Sequence, residues 1–331
     1  MFNPNMWSAK CLITKSVYNG ERRLRWLYRG QAGYTKDYYD SGWEITSEFD
    51  DEEYVKNSDN LMMITLAELI ELEPKVELVV EMPIGTEIMY DFEKDVLINT
   101  ATNKEITEPY EPIFERAFRK NLDIISEIPK DVDMIEKLFC SKNFELNEDN
   151  FVNFNTGKLV LADPYYYLGD EDVMDIMEET IHPGKYSVTI SSKEKDGLGR
   201  RIYGIKLNIT DKKAVNYIEL KPEGHEWQVV GVDSGLCAIA DKSTQEEFKA
   251  FYEYWYNENK EKDFYDNYLC KIFKENDDIG IWKNEKTDND ILIVSSGFGD
   301  GIYNPLCGYD IDGNLVNVVI IFIAPEIAEM E

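Results

Sequence analysis

The feature that most constrains the fold of this chain is a change of sequence pattern near residue 150. Beyond that point, short runs rich in β-branched and aromatic residues alternate with turn residues, which is typical of β-strands. These runs lie at residues 158–162, 185–191, 201–209, 215–220, 228–232, 291–295 and 315–323. The sequence therefore predicts a β-rich domain over residues 151–331.

A long helical insert is expected inside this β-rich domain. Ser243 and Glu246 have the spacing of a capping box, in which two side chains close the first turn of a helix. Phe248, Phe251 and Trp255 follow at helical spacing. A stripe of this kind is far more often part of a core than of a cofactor site.

The first hundred residues predict a smaller domain that mixes strands with a helix. Residues 9–18 and 24–29 flank the Asn-Gly pair at 19–20 and are expected to form a hairpin. Thr65 and Glu68 have capping-box spacing and are expected to begin a short helix.

Strands are expected to follow that helix at residues 76–80 and 87–90.

A chain of 331 residues exceeds the usual range of one domain. The predicted class is α+β with two domains. They are a small α+β domain over residues 1–103 and the β-rich domain over 151–331, joined by a helical connector over 104–150.

The acidic composition restricts the kinds of partner. The formal net charge is -30, and hydrophobic residues make up 43% of the chain, so the charge lies on a folded surface and does not signal disorder. Such a surface repels phosphate backbones and anionic headgroups, which argues against nucleic-acid or membrane binding. A basic protein partner is the natural complement. The alternative is that the acidity serves solubility alone.

The cysteines and the apolar runs point to a reduced, cytoplasmic protein. Five widely spaced cysteines without a CxxC pair indicate neither a disulfide framework nor a zinc site. The N-terminus lacks the pattern of a signal peptide, and the apolar run at residues 316–324 has only the length of a strand. No metal or cofactor is expected.

Three motifs in the first hundred residues share one resemblance. A basic and aromatic strand at residues 25–29 (Arg-Trp-Leu-Tyr-Arg) precedes residues 40–43 (Asp-Ser-Gly-Trp), and residues 49–54 (Phe-Asp-Asp-Glu-Glu-Tyr) follow. Through them, residues 9 to about 100 resemble a bacterial immunity-protein family of polymorphic toxin systems, long catalogued as a domain of unknown function. The resemblance implies a protein that binds and blocks a toxin.

The residues expected to contact such a partner combine carboxylates with aromatic anchors. Residues 40–43 can cap a turn, with Gly42 supplying an unusual dihedral angle and Trp43 inserting as an anchor. The alternative is that this motif only builds the fold, and Arg25 and Arg29 are candidate internal partners of the carboxylates. The predicted partner-binding residues are Asp40, Trp43, Asp50, Asp51, Glu52, Glu53 and Tyr54.

The second half carries its own motifs. They are Thr-Gly at 156–157, Ala-Asp-Pro at 162–164, His-Pro-Gly-Lys-Tyr at 182–186, Val-Asp-Ser-Gly at 232–235 and Ser-Ser-Gly-Phe-Gly-Asp-Gly at 295–301. Through them, residues 150–323 resemble a second bacterial domain family of unknown function. That family brings no established chemistry, so the resemblance supports the β-rich fold and the domain boundary more than a reaction.

Several of these motif residues could share a ligand pocket. Asp163, Asp233 and Asp300 stand beside Gly or Ser at the ends of strand-like runs, as a shallow polar pocket requires. Turn chemistry explains the same residues, since Asp and Gly are common in hairpin turns. The candidate pocket residues are Asp163, Asp233, Ser234, Gly235, Ser296, Gly297 and Asp300.

Catalytic motifs are incomplete in this sequence. Only His182 and His225 could supply an imidazole base, and no GxSxG nucleophile elbow is present. The glycines at 297–301 lack the spacing of a dinucleotide loop, and residues 310–321 lack the Gly and Glu that a calcium-binding EF-hand needs. We therefore expect no catalytic residues.

These observations favour an immunity protein that neutralises a bacterial toxin by direct binding through its acidic surface. The expected partner is a basic toxin protein, with no nucleic acid, no membrane and no cofactor. The alternative is an enzyme or a small-ligand-binding module that uses the Asp, Ser and Gly residues of the second domain.

Overall fold

The structure is a computed structural model that describes residues 6–125, 131–166, 168, 176–224, 230–273 and 278–330. The chain divides into two compact units, Met1–Arg116 and Ala117–Glu331. Each unit combines helices with sheets, so the predicted α+β class with two domains is confirmed.

The first unit is built on one mixed sheet. Its strands are β1 (Lys10–Thr14), β2 (Trp26–Arg29), β3 (Gly33–Tyr34), β4 (Tyr39–Thr46), β5 (Leu61–Thr65), β6 (Glu87–Asp91), β7 (Val96–Asn99) and β8 (Lys104–Ile106). The order is β5-β1-β4-β2-β6-β7-β8, with β3 also paired to β4. The β1 and β4 strands run parallel, and their apolar side chains enter the core of this unit.

Short helices connect these strands. They are α1 (Lys15–Tyr18), α2 (Glu52–Lys56) and α3 (Leu66–Leu72), with 3-10 turns at Met6–Ser8, Ser58–Asn60 and Pro74–Leu78. The capping box predicted at the start of α3 is confirmed. The Glu68 backbone N–H donates to Thr65 Oγ1 (3.2 Å), and the Thr65 N–H donates to Glu68 Oε2 (2.7 Å).

The hairpin predicted around Asn19 and Gly20 is wrong. The β4 strand lies between β1 and β2 and pairs with both of them. The chain forms α1 directly after β1, and the Asn19 backbone N–H donates to Lys15 O. Gly20 then takes a φ of +71°. A left-handed Gly after Asn suits the end of a helical turn as well as a hairpin, which explains the error.

The strand predicted at residues 76–80 is also wrong. Residues 76–78 belong instead to the 3-10 helix Pro74–Leu78. Proline at the start of this helix has the φ that a helix requires, and the Glu73 side chain caps it by accepting a hydrogen bond from the Lys75 backbone N–H (3.3 Å). The strand predicted at residues 87–90 is present as β6.

Residues 104–150, predicted as a helical connector, are divided between the two units. Lys104–Ile106 completes the first sheet by pairing with β7. Two helices follow, α4 (Ile113–Ile125) and α5 (Val132–Leu138), and the division between the units falls within α4. In the second unit, Asn121 of α4 donates to Phe322 O (2.9 Å) and accepts from the Ala324 N–H (2.8 Å).

The second unit is rich in strands. They are β9 (Glu145–Phe154), β10 (Lys158–Ala162), β11 (Ile176–Thr180), β12 (Gly184–Lys195), β13 (Gly199–Asn208), β14 (Asn216–Glu219), β15 (Val230–Val232), β16 (Leu236–Asp241), β17 (Ile279–Lys283), β18 (Asp290–Ser295), β19 (Gly301–Tyr303), β20 (Pro305–Tyr309) and β21 (Leu315–Ile321). One sheet has the order β11-β10-β16-β18-β17, a second has β14-β20-β21-β13-β12-β9, and β15 pairs with β19.

The helical insert is α6 (Lys242–Glu258), and its predicted start is corrected by two residues. Asp241, rather than Ser243, caps the helix by accepting a hydrogen bond from the Ser243 backbone N–H (2.9 Å). The aromatic stripe of α6 is core, as predicted. Phe248 is buried and meets Trp282 of β17 edge to face, with ring centres 5.3 Å apart.

The remaining helical segments are short. They are a π-helical turn at Tyr265–Leu269, α7 (Cys270–Ile272) and a 3-10 helix at Pro325–Glu329. Within the described residues, none of the helices combines the length and the apolarity that crossing a membrane requires. Residues 225–229, which include His225 and the start of the strand predicted at 228–232, lie outside the described residues.

Candidate functional site

The predicted partner-binding residues concentrate in one segment of the first unit, residues 47–54, which we call the acidic loop. At its centre, the carboxylate of Asp50 has no solvent exposure (0%). It accepts hydrogen bonds from Thr14 Oγ1 (2.7 Å), Ser16 Oγ (2.9 Å) and the Ser47 backbone N–H (2.8 Å), and it pairs with Arg22 Nη1 (2.7 Å). Asp50 is therefore not a surface contact as predicted, because every bond it makes is internal.

The electrostatics of Asp50 agree with this internal role. Burial by itself would raise the pKa of the carboxyl, but the hydrogen bonds from Ser47, Thr14 and Ser16 outweigh burial and hold the pKa below its usual value. The charged form of Asp50 is thus stabilised by the fold, and it fixes the start of the acidic loop to β1 and α1.

The neighbours of Asp50 face solvent. The Phe49 side chain is 67% exposed, although large apolar groups are usually buried. Arg22 Nη1 donates to Phe49 O (2.7 Å), and its guanidinium lies 5.9 Å from the ring centre of Phe49 and 5.4 Å from that of Tyr54. The exposed carboxylates of the loop are Glu48, Asp51, Glu52 and Glu53.

Local bonds order the end of the acidic loop. Asp51 caps α2 by accepting a hydrogen bond from the Tyr54 backbone N–H (2.8 Å), and acidic residues in the first turn of a helix are favoured by its dipole. Glu52 pairs with Lys56 one turn later (2.8 Å), while both side chains stay in water. Tyr54 is partly buried.

The Asp-Ser-Gly-Trp motif at residues 40–43 lies within β4 and not in a turn, so that expectation is corrected. Trp43 is 1% exposed, and its indole N–H donates to Val80 O (3.0 Å). Gly42 has a φ of +77°, and a Cβ there would lie 2.5 Å from Gly30 O. Trp43 therefore builds the core and cannot act as a surface anchor, because its ring is already packed.

Asp40 and the two arginines proposed as internal partners, Arg25 and Arg29, all bond to the backbone of the first unit. Asp40 is partly buried and accepts a hydrogen bond from the Gly42 backbone N–H (2.9 Å). Arg25 and Arg29 bond to backbone carbonyls, with Arg29 donating to Val80 O (2.9 Å) and Arg25 donating to Tyr90 O. They are not the partners of the acidic loop, since Arg22 takes that role.

In the second unit, Asp163 lies directly after β10 and is fully buried (0%). Its carboxylate accepts hydrogen bonds from the Asp233 N–H (2.9 Å), the Ser234 N–H (2.7 Å), Ser234 Oγ (2.7 Å) and the Tyr165 N–H (2.8 Å). Asp163 is therefore a structural anchor between two loops and not a ligand contact, because its oxygens are already satisfied.

The loops that Asp163 holds together border a cavity of about 320 Å³. We call it the tyrosine–aspartate cavity. The predicted residues Asp233, Ser234 and Asp300 line it together with Tyr165, Tyr166, Tyr265, Asp263 and Asp266. The structure thus brings three of the seven predicted pocket residues to one surface.

Three other predicted pocket residues support this surface from behind. Gly235 O accepts a hydrogen bond from the Ser296 N–H (2.9 Å), and Ser296 Oγ donates to Gly299 O (2.8 Å). Gly297 has a φ of +63°, and a Cβ there would lie 2.8 Å from Phe322 Cβ. Their contribution is turn geometry and close packing, which is the alternative that the sequence left open.

The tyrosine–aspartate cavity has a negative electrostatic character. Tyr165 OH donates to Asp263 Oδ2 (2.9 Å), and the Asp266 backbone N–H and Tyr165 hold the pKa of Asp263 below its usual value. Burial raises the pKa of Tyr265, and the charges of nearby carboxylates, Asp300 among them, raise it further. Aromatic rings and carboxylates around one cavity attract cations.

Sequence reasoning missed part of both regions. The sequence pattern places Phe49 at the start of an acidic string and does not indicate that its side chain is exposed. The segment with Asp263, Tyr265 and Asp266 carries alternating carboxylates and tyrosines, but its proximity to Asp300 is tertiary and no local pattern reveals it.

Two family models match the chain. Residues 152–320 match the model described as protein of unknown function (DUF4241), and residues 11–100 match the immunity protein Imm33 domain. No curated protein and no solved structure matches the chain. Both matches agree with the resemblances inferred from the sequence, and the Imm33 match spans the acidic loop.

Proposed function

The chain belongs to the DUF4241 family, and from this membership and the Imm33 domain we propose that it neutralises a bacterial toxin by binding it through the acidic loop. The immunity-domain match supports an immunity role in general. The toxin as direct partner, the loop as contact surface and the basic character of the toxin are our proposals. The mechanism is stoichiometric and uses no catalytic group.

The observation that carries this proposal is the exposed Phe49 among exposed carboxylates. Protein interfaces take most of their binding energy from a few large aromatic or arginine side chains inside a polar rim. Phe49 is exposed as such an anchor must be, and the carboxylates of Glu48, Asp51 and Glu53 supply a negatively charged rim.

The internal bonds of Asp50 support the same proposal. Asp50 and Arg22 fix the loop backbone around Phe49, since the Ser47 N–H donates to the Asp50 carboxylate and Arg22 donates to Phe49 O. A loop already held in one conformation loses less entropy when a partner binds. Asp50 thus contributes to recognition by positioning the loop.

The charge of the loop favours a basic partner. Glu48, Asp51, Glu52 and Glu53 are exposed, and of these Glu52 has a nearby cation in Lys56. Opposite charges accelerate encounter and exclude acidic competitors, and the effect weakens as salt rises. An acidic loop around an apolar ring is therefore suited to the cationic cleft of a toxin.

The test is survival of bacteria that co-express this protein with a candidate toxin encoded beside its gene. We expect the parent to protect and Phe49→Ala to protect poorly, with affinity for the purified toxin lowered about 30-fold or more, as for an interface hot spot. The matched control is Tyr34→Ala, which removes another exposed aromatic ring from the same unit (87% exposed) and should leave protection intact.

A second variant addresses charge. Neutralising Glu48, Asp51, Glu52 and Glu53 together should slow association at least about tenfold at low salt and remove most of its salt dependence. Its control is Glu71→Gln with Glu77→Gln, two exposed carboxylates outside the loop. If Phe49→Ala and the neutralised loop both protect like the parent, the loop is not the contact, and if the parent gives no protection, the immunity proposal fails.

A second candidate function is favoured by the tyrosine–aspartate cavity. Its carboxylates and phenol rings suit a small organic cation, so the second unit would be a ligand-binding module. Spermidine titrated by calorimetry is a suitable probe. Asp300→Asn should weaken its binding about threefold to tenfold, whereas Asp196→Asn, which alters an exposed carboxylate elsewhere, should not. Equal effects of the two variants would exclude the cavity.

A further inference from the structure

A different cavity, of about 420 Å³, opens on one face of the second unit's larger sheet. Three side chains lie side by side across its floor, because Ser187 of β12 pairs with Asn208 of β13, which pairs with Asn317 of β21. Thr189 and Lys206 form the neighbouring cross-strand pair. Directly paired residues of antiparallel strands point to the same face, and we call this site the sheet-face cavity.

The polar floor of the sheet-face cavity is unusual for the middle of a sheet. Asn208 Nδ2 donates to Thr189 Oγ1 (3.0 Å) and to Ser187 Oγ (3.2 Å). Both hydroxyl oxygens thus accept, while their hydrogens have no acceptor among the described residues. Asn317 is only 6% exposed, and its Oδ1 has no hydrogen-bond partner in the described part of the chain. The Asn317 oxygen is covered by the strand that carries Gly308, so the groups open to a ligand are the two hydroxyls of Ser187 and Thr189.

Lys206 is the cation of the sheet-face cavity. It is partly buried, makes no ion pair within the described residues and lies over the Phe139 ring, with Nζ 4.7 Å from the ring centre. Burial lowers the pKa of Lys206, while the charges of Glu136 and Glu148 act in the opposite direction. Its ammonium therefore lies near two carboxylates without contacting either of them.

Those carboxylates form the opposite electrostatic pole. Glu136 of α5 and Glu148 of β9 line the same cavity, and neither makes an ion pair within the described residues. At the rim, Lys212 is already occupied by Asp310 (2.5 Å). Glu136 also interacts with the Tyr217 hydroxyl. The cavity thus contains charges of both signs that make no ion pair among the described residues.

We propose that the sheet-face cavity binds a small zwitterion with a primary amine and a carboxylate, of the size of a free amino acid or a dipeptide. The carboxylate lies between Lys206 and the hydroxyls of Ser187 and Thr189, and the ammonium lies toward Glu136 and Glu148. An anion alone would face the carboxylates of Glu136 and Glu148, and a cation alone would face Lys206. Only a ligand with both charges satisfies both poles.

The experiment uses the full chain and a panel of the twenty free L-amino acids with glycylglycine, screened by thermal shift and titrated by calorimetry. At least one of them should bind. Its N-acetyl form and its methyl ester, each lacking one charge, should bind about 10- to 100-fold more weakly, as expected for the loss of a charge-assisted hydrogen bond. Absence of binding across the panel overturns the proposal.

Variants locate the binding. Lys206→Met keeps an apolar stem over Phe139 and should weaken the ligand about 10- to 100-fold. The matched control is Lys193→Met, because Lys193 lies on β12 with Nζ 5.4 Å from the ring centre of Phe144 and does not line the cavity. If Lys193→Met and Lys206→Met have the same effect, the site is elsewhere.

The ligand forms separate the zwitterion from simpler ions, and this arm uses the unaltered protein, so it does not depend on the folding of any variant. If the N-acetyl form binds as tightly as its parent amino acid, the cavity is an anion site and the zwitterion assignment is wrong. If the methyl ester binds as tightly, the cavity is a cation site and the assignment is equally wrong.

Discussion

Two buried aspartates, one in each unit, organise the two regions that carry the functional proposals. Asp50 accepts hydrogen bonds from Thr14 and Ser47, and Asp163 accepts them from Tyr165 and Ser234. Each carboxylate is fully shielded from solvent, while acidic residues close to it in space or sequence remain exposed. In both units, one carboxylate builds a loop and its neighbours form the surface.

The two aspartates differ in their counter-charge. Asp50 has Arg22 at 2.7 Å, whereas the hydrogen bonds described for Asp163 all come from neutral N–H and O–H donors. A buried charge without a cation depends entirely on its hydrogen bonds. An acidic motif thus divides into structural carboxylates and surface carboxylates, and only the surface carboxylates can contact a partner.

The largest effect is expected from removing Asp163, the anchor for which the described residues supply no cation. Asp163→Ala leaves the donors from Asp233, Ser234 and Tyr165 without their acceptor and should lower the free energy of unfolding by about 3–5 kcal/mol. Urea denaturation followed by circular dichroism measures this loss. A loss below about 1 kcal/mol would show that the two loops do not depend on Asp163.

A smaller loss is expected for Asp50→Asn, about 2 kcal/mol, because the amide keeps one acceptor but loses the charge that pairs with Arg22. The folded-state pKa of Asp50 is lowered, so its contribution is present above the unfolded pKa of about 4 and is lost as pH falls through the folded value. The difference in stability between parent and Asp50→Asn should be constant at neutral pH and shrink below about pH 4. A difference that grows on acidification contradicts this.

Removing Arg22, the cation that pairs with Asp50, tests how much this ion pair contributes to stability. Arg22→Met should cost about 1–3 kcal/mol, since Asp50 keeps its hydroxyl and backbone donors but loses its ion pair. Hydrogen exchange should accelerate at the backbone of the acidic loop. Unchanged exchange there would mean that Arg22 does not position the loop.

The smallest effect is expected at the surface. Glu52→Gln breaks the pair with Lys56, in which both side chains are exposed, and should change stability by less than about 0.5 kcal/mol. Thermal unfolding at low and at high salt provides the measurement. A loss above about 1 kcal/mol would place Glu52 among the structural carboxylates.

Much of the fold followed from local pattern. The runs beginning at residues 158, 201 and 315 lie in strands, and Thr65 caps a helix, because alternation and capping are encoded in neighbouring residues. The hairpin predicted at Asn19 and Gly20 is wrong because a glycine with a positive φ occurs both in hairpin turns and at the ends of helices. Strand partners could not be read, since β4 separates β1 from β2 through non-local pairing.

The site was predictable only in part. Residues 51–53 are exposed and fit the prediction of a surface, while Asp50 within the same run is buried, and nothing local distinguishes them. The difference comes from Thr14, Ser16 and Arg22, which lie 28 to 36 residues earlier in the chain. Tertiary contacts, and not the local sequence, thus determine which acidic residue of the run is buried.

The assignment of the acidic loop is tested most directly by hydrogen–deuterium exchange of this protein, free and mixed with a candidate toxin encoded beside its gene. We predict that exchange slows in residues 47–54 on binding, as a partner covers Phe49 and the carboxylates around it. Slowed exchange elsewhere, with residues 47–54 unchanged, would contradict the assignment of the acidic loop as the recognition surface.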